Sequence, residues 1–197
     1  MSEIPTEVLK YELRKLQLKV AEESRSTFLT FVKKVWPEFI AGSHHKIIAQ
    51  KFEDISRGKI KRLIVNMPPR HTKSEFASHL FPAWMMGQKP KLKIIQTTHT
   101  AELSYNFGRK VRNLFDQDEF KDVYPDVTLS QDSKAAGRFT TNSGGEYFAA
   151  GVGGAITGRG ADLLIIDDPH SEQDALSQTA LDNAYEWYTS CLLYTSP

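Results

Sequence analysis

The sequence predicts an α/β protein: a mostly parallel sheet flanked by helices, with an N-terminal helical arm in front of it. Two observations carry that expectation. From Lys61 onward short aliphatic runs alternate with segments of helical spacing, and ahead of them apolar residues recur mainly at three- and four-residue steps. With 197 residues and 40% hydrophobic content the chain can bury one sizeable core, and a second full domain is not expected.

The arm is read first. Val8, Leu9, Leu13, Leu16, Val20, Phe28, Leu29, Phe31 and Val32 place one or two amphipathic helices between Thr6 and about Lys34. Trp36-Pro37 interrupts them, Ala41-Gly42-Ser43 is a loop with an N-cap, and His45 to Ile55 resumes helical spacing until Arg57-Gly58 closes it. The arm is therefore assigned to residues 1–58 and the core to 59–190. In the core, Lys61–Met67 (KRLIVNM) reads as a buried strand, Lys73–Met86 as a helix, Leu92–Thr98 as a strand and Ala101–Phe115 as a helix. The segments VTLSQ, GRFTT and GEYFAA, between Asp126 and Ala150, read as hairpin-like strands, and Leu163–Ile166 as another buried strand. The order βαβα argues for parallel pairing under helices.

Composition narrows the setting. Cys191 is the single cysteine, which excludes an intramolecular disulfide and a cysteine-based zinc site. SEIPTEVLK after Met1 lacks the apolar core of a signal peptide, and no run reaches the length of a membrane span, so a cytoplasmic protein is expected. Net charge is +1, yet residues 160–197 hold seven acidic and no basic side chains, leaving 25 basic and 17 acidic in residues 1–159. That excess suits either a polyanionic partner or a solvated surface.

Chemistry concentrates where strands end, because ligands of open α/β sheets bind beyond the carboxyl ends of their strands. NMPPRHTKSEF, Asn66 to Phe76, joins the first expected strand to a helix and ends in Lys73-Ser74, the cation and hydroxyl of G-x-x-x-x-G-K-[ST]. Met67 and Thr72 stand where that pattern has glycine, so such a loop would work if its backbone needs no positive φ there, with Pro68 and Pro69 holding it extended. Lys73 and the helix N-terminus would cradle a triphosphate, and Ser74 would place its hydroxyl on Mg²⁺. LLIIDDPH, Leu163 to His170, pushes two carboxylates from a strand tip: Asp167 to hold Mg²⁺ and Asp168 to orient or deprotonate the attacking water.

Taken together, HHKIIAQKFEDISRGKIKRLIVNMPPRHTKSE, TTHTAELSYNFGRKVRNLF and GGAITGRGADLLIIDDPH resemble the ATPase domain of tailed-bacteriophage terminase large subunits over roughly residues 25–190. The resemblance implies a P-loop NTPase of the ASCE type that uses ATP and Mg²⁺ to drive double-stranded DNA into procapsids. It implies a Walker A segment from Met67 to Ser74, with Pro69, Arg70, His71, Thr72, Lys73 and Ser74 around the nucleotide, and a Walker B segment from Leu163 to Asp168. It further implies a homo-oligomeric ring, a portal protein and a terminase small subunit as partners, and the host bacterial cytoplasm as the location.

Several residues keep two readings at this point. Arg70 either senses the γ-phosphate, as the family suggests, or pairs with Glu75 at the surface. Arg159 either reaches a neighbouring subunit's site as a catalytic arginine or closes a glycine-rich loop. His44 and His45, within the adenine-side segment Trp36–Lys46, either stack on a base or simply open a helix; His99 and His170 follow strands without a third metal ligand. Asp168 departs from the Glu usual in this class. The tail CLLYTSP repeats Tyr-Thr-Ser and reads as a truncated or non-native end over 191–197, with the family's nuclease domain missing. Two other functions fit parts of the pattern: a nucleotide kinase or other phosphotransferase, and a non-hydrolysing, nucleotide-gated DNA-binding or assembly module.

Overall fold

A computed structural model describes residues 6–156 and 158–195, except the side chains of 133, 134 and 191–195. The chain forms two compact units, residues 1–65 with 117–125, and residues 66–116 with 126–197. The first unit thus runs on to Val65, and a short later segment joins it. The tail read as 191–197 lies outside the residues described in full.

The first unit is helical. Helix α1 (Thr6–Ser26) is followed at the extended residue Thr27 by α2 (Phe28–Val35) and then by α3 (Ser43–Ser56). Trp36 leaves helical geometry, as a residue before proline favours, and that ends α2. Phe28, Phe31, Val32 and Phe52 are buried with Phe120, Val123 and Tyr124, the last three from α6 (Asp118–Val123) and the residue after it. Glu53 closes the start of α2: its carboxylate accepts the Phe28 N–H at 3.0 Å and an Arg57 N–H at 3.2 Å. Leu9, Leu13 and Leu16 remain exposed on α1.

The second unit is built on a five-stranded open sheet. Its strands are β1 (Lys93–Thr98), β2 (Leu129–Ala135), β3 (Arg138–Thr141), β4 (Glu146–Gly151) and β5 (Leu163–Ile166), in the order β2-β3-β4-β1-β5. Strand β1 pairs parallel with β4 and β5, while β2, β3 and β4 are joined antiparallel. The sheet is therefore mixed, its parallel part being β4-β1-β5. Helix α4 (Phe81–Gln88) is buried from Phe81 to Gly87, α5 (Ala101–Leu114) covers β4 and β1, and α7 (Gln178–Thr195) follows β5. Thr100 caps α5 by accepting the Leu103 N–H at 3.2 Å. Gly108 lets α5 approach the hairpin, since a Cβ there would lie 2.1 Å from the Ala136 carbonyl oxygen. Among the described residues no helix is long and apolar enough to cross a membrane.

One expected strand is corrected. Lys61–Met67 forms no ladder, and Ile64 is 86% exposed. Three aliphatic residues, Leu63 to Val65, gave the segment its strand signature, but a strand exists only where a neighbour takes up its N–H and C=O groups. The helix expected from Lys73 is present, though it changes pitch: residues Glu75–Leu80 form a π-helical turn before α4.

Candidate functional site

The site assembles where β5 ends beside the start of the helix that follows the loop Asn66–Thr72. Asp167 continues the β1–β5 ladder by donating its N–H to the Thr97 carbonyl at 2.9 Å, and His99 N–H donates to the Asp168 carbonyl at 3.1 Å. This pinning holds Asp168 at φ 45°, in the left-handed region. Arg70 (φ 64°) and Thr72 (φ 61°) share that region, and these three are the non-glycine residues with positive φ among those described. The expectation that the loop avoids positive φ at its second glycine position is thus overturned at Thr72, while Met67 conforms to it. Left-handed residues alternating along a loop turn successive N–H groups toward one side, a concavity suited to anions.

Strain of this kind costs about 1–2 kcal/mol for a residue bearing a Cβ. Thr72→Gly should remove it, less the entropy that glycine adds to the unfolded chain, for a net gain of about 0.5–1 kcal/mol. Urea denaturation should show a higher midpoint at unchanged slope; an unchanged or lower midpoint would mean that Thr72 is not strained. The φ of Asp168 also suits aspartate at this position. Short Asp and Asn tolerate the left-handed region far better than longer side chains do.

Lys73 joins the two halves of the site. Its Nζ is 3.3 Å from Asp167 Oδ1 and bonds Asp168 Oδ1 directly. Asp167 is buried and Asp168 exposed. Burial alone would lower the Lys73 ammonium, but the hydrogen bond to Asp168 and the two carboxylate charges outweigh it and raise its pKa. Lys73 is therefore a full cation at neutral pH. The other oxygen of Asp167, Oδ2, accepts a hydrogen bond from Ser78 Oγ at 2.8 Å, and Ser78 in turn accepts one from Gln96 Nε2 at 3.0 Å. Neither Ser78 nor Gln96 stood out in the sequence, although a glutamine between Ile95 and Thr97 in a buried strand was a legible signal.

Glu75 is held by His79 Nδ1 at 3.0 Å and by Lys110, so the alternative pairing of Glu75 with Arg70 is not formed. Among the described residues Arg70 makes no ion pair, and like Pro69 and His71 it is exposed. The hydrogen bond from His79 and the Lys110 ammonium outweigh burial and take the Glu75 carboxyl down to about 2. A depressed carboxyl stabilises the fold above its ordinary value of 4.5, and that stabilisation is lost as pH falls toward 2. Glu75→Gln should therefore cost roughly 1 kcal/mol at pH 7, in keeping with a partly solvated pair. The deficit should shrink between pH 4.5 and 2 in a denaturation series, and a pH-independent deficit would assign the loss to packing.

The remaining expected residues lie elsewhere. Arg159 stacks over the Phe148 ring at 3.9 Å and donates to Glu146 Oε1 at 3.0 Å, which Arg138 also contacts. Glu146 is in register with Lys93 at the start of the parallel strands, so Arg159 stands at the end of the sheet away from Asp167. His44 and His45 belong to the first unit: Gly42 N–H donates to His45 Nδ1 at 2.9 Å, closing the start of α3, and His45 packs against Phe39. His99 Nδ1 and His170 Nε2 are buried without a hydrogen-bond partner. Among the described residues no three His, Cys, Asp or Glu side chains cluster as a metal cage.

The chain matches no protein-family model and no curated protein.

A cation, a helix start and a loop of left-handed residues suit a phosphate-like anion, since the first N–H groups of a helix have no intrahelical acceptor. Asp167 Oδ1, on the Lys73 side, is a hard oxygen of the kind Mg²⁺ takes, and Ser74, next in the chain after Lys73, would be the hydroxyl to join it.

Proposed function

We propose that this chain is the ATP-hydrolysing motor domain of a DNA-packaging terminase, with the P-loop fold that such a domain implies. The observation that carries the reading is the convergence of Lys73 on Asp167 and Asp168, at the tip of a parallel strand beside a loop of left-handed residues. In this reading Pro69 to Ser74 surround the triphosphate, Arg70 reaches the γ-phosphate from its exposed position, and Ser74 with Asp167 hold Mg²⁺. Bound there, Mg²⁺ would supply positive charge to offset the negative charge developing on the transferred group.

The chain's own residues do the rest. Lys73 holds Asp168 in an ion pair, and a polyphosphate competes for the same ammonium. Once Lys73 turns to phosphate, the exposed Asp168 carboxylate is released to orient a water and accept its proton. Arg159 is held by Glu146 and Phe148 away from its own chain's site, and in this reading it leaves them to reach a site on the next subunit of a ring. Double-stranded DNA, a portal protein and a small subunit are the partners this function requires. A nucleotide kinase would need cationic lid residues after β5, where residues 160–197 hold no Lys or Arg. Phosphate release by the wild-type chain with ATP and Mg²⁺ tests the reading, with Lys73→Ala as the control: release abolished in the variant supports it. A chain that binds ATP without any release would be the non-hydrolysing module.

A further inference from the structure

We infer that Ser78 and Gln96 are positioning residues that aim Asp167 at the metal, an inference that rests on the ATPase reading. Both side chains are fully buried, and together they form a directed relay: Gln96 Nε2 to Ser78 Oγ at 3.0 Å, Ser78 Oγ to Asp167 Oδ2 at 2.8 Å. Its direction is fixed by chemistry. An amide NH₂ can only donate, so Ser78 spends a lone pair on Gln96 and turns its single proton to the carboxylate. Asp167 Oδ2 is thereby tied to the protein, and Oδ1, on the Lys73 side, is the oxygen presented to the site.

The helix geometry serves the same end. In an α-helix, residues five apart point about 140° from each other. The π-helical turn Glu75–Leu80 advances less per residue, which brings Lys73 and Ser78 to one side, where they contact the two oxygens of the same carboxylate. A wide turn of this kind is frequent at functional sites. Gln96 adds a second sign of purpose: its Oε1 is buried with no hydrogen-bond partner, in a strand whose neighbours Ile94 and Ile95 are core residues. A leucine would fill that position without an unsatisfied oxygen, so stability alone does not favour glutamine.

The test is nucleotide affinity measured by titration calorimetry for the wild-type chain, Ser78→Ala and Gln96→Leu, in EDTA and across a Mg²⁺ series. Groups that orient a metal ligand typically change metal affinity by about 10- to 100-fold. Both variants should need roughly tenfold or more Mg²⁺ to reach half of the Mg²⁺-dependent gain, while affinity in EDTA stays within twofold of wild type. Gln96→Leu should meanwhile keep or raise the Tm, a combination that a purely structural role would not produce. If Ser78→Ala does not fold, Gln96→Leu decides alone. A wild-type Mg²⁺ dependence retained by a folded variant overturns the relay and leaves the ATPase reading standing. Absence of any Mg²⁺-dependent binding in the wild-type chain overturns that reading and the relay with it.

Discussion

Replacing Lys73 by alanine should weaken Mg·ATP binding by roughly 10- to 100-fold, the effect of removing a charge-assisted contact of about 1.5–3 kcal/mol. The loss follows from the position of the ammonium. It stands at the junction of loop and helix, already between two carboxylates, and burial has not discharged it. Without it, a polyphosphate entering the site would face Asp167 and Asp168 with no cation of the chain between them. Titration calorimetry with Mg·ATP gives the answer, and retention of affinity within a factor of two would remove Lys73 from the site. Lys73→Arg should recover little, because a planar fork cannot replace a point charge aimed at two separate carboxylates.

The second large effect separates the two aspartates. Asp168→Asn should keep Mg·ATP binding, or tighten it because Lys73 is no longer engaged, and should lower turnover by about 10²–10⁴, the range for loss of a general base. Asparagine tolerates left-handed backbone, so the strand tip keeps its shape and the deficit belongs to proton transfer. Asp167→Asn should do the reverse and weaken Mg²⁺-dependent binding first, because the buried carboxylate is the proposed metal ligand. Measured side by side, equal losses of binding in the two variants would mean that water activation is wrongly given to Asp168. Asp168→Glu should not behave as a longer-reaching base, since φ 45° opposes the larger side chain.

The elements that the sequence made legible are those whose pattern and partner agree. KIIQTT and LLII are short, aliphatic and bounded by turns, and each finds a parallel neighbour, so β1 and β5 stand where expected. The helix after Thr100 carries its own cap and the hairpin strands their own turns. Lys61–Met67 shows the limit: the same aliphatic signature without a pairing partner is only extended chain. At the site, Lys73, Asp167 and Asp168 were legible because strand tips are where chemistry concentrates. Ser78 was not, because its role depends on a π-helical pitch that leaves no spacing to read, and Gln96 showed only as a polar residue in a buried strand, its partner set by burial across the sheet. The left-handed φ of Thr72 was signalled by the glycine usual at that position, but only the three-dimensional loop shows threonine forced into it.

The ion pair between Lys73 and Asp168 joins residues 95 apart in the chain, and β5 enters the sheet through β1 alone among the described strands. Contacts between distant residues close large loops, and they form after local helices and hairpins have settled. The candidate site is therefore expected to be the last part of this unit to acquire its shape, once the four residues Leu163–Ile166 dock on β1. During synthesis the loop and its lysine leave the ribosome well ahead of both aspartates. A growing chain thus holds no complete Lys73–Asp167–Asp168 cluster until Asp168 has emerged, so the loop and its lysine exist for a time without the carboxylates that will face them.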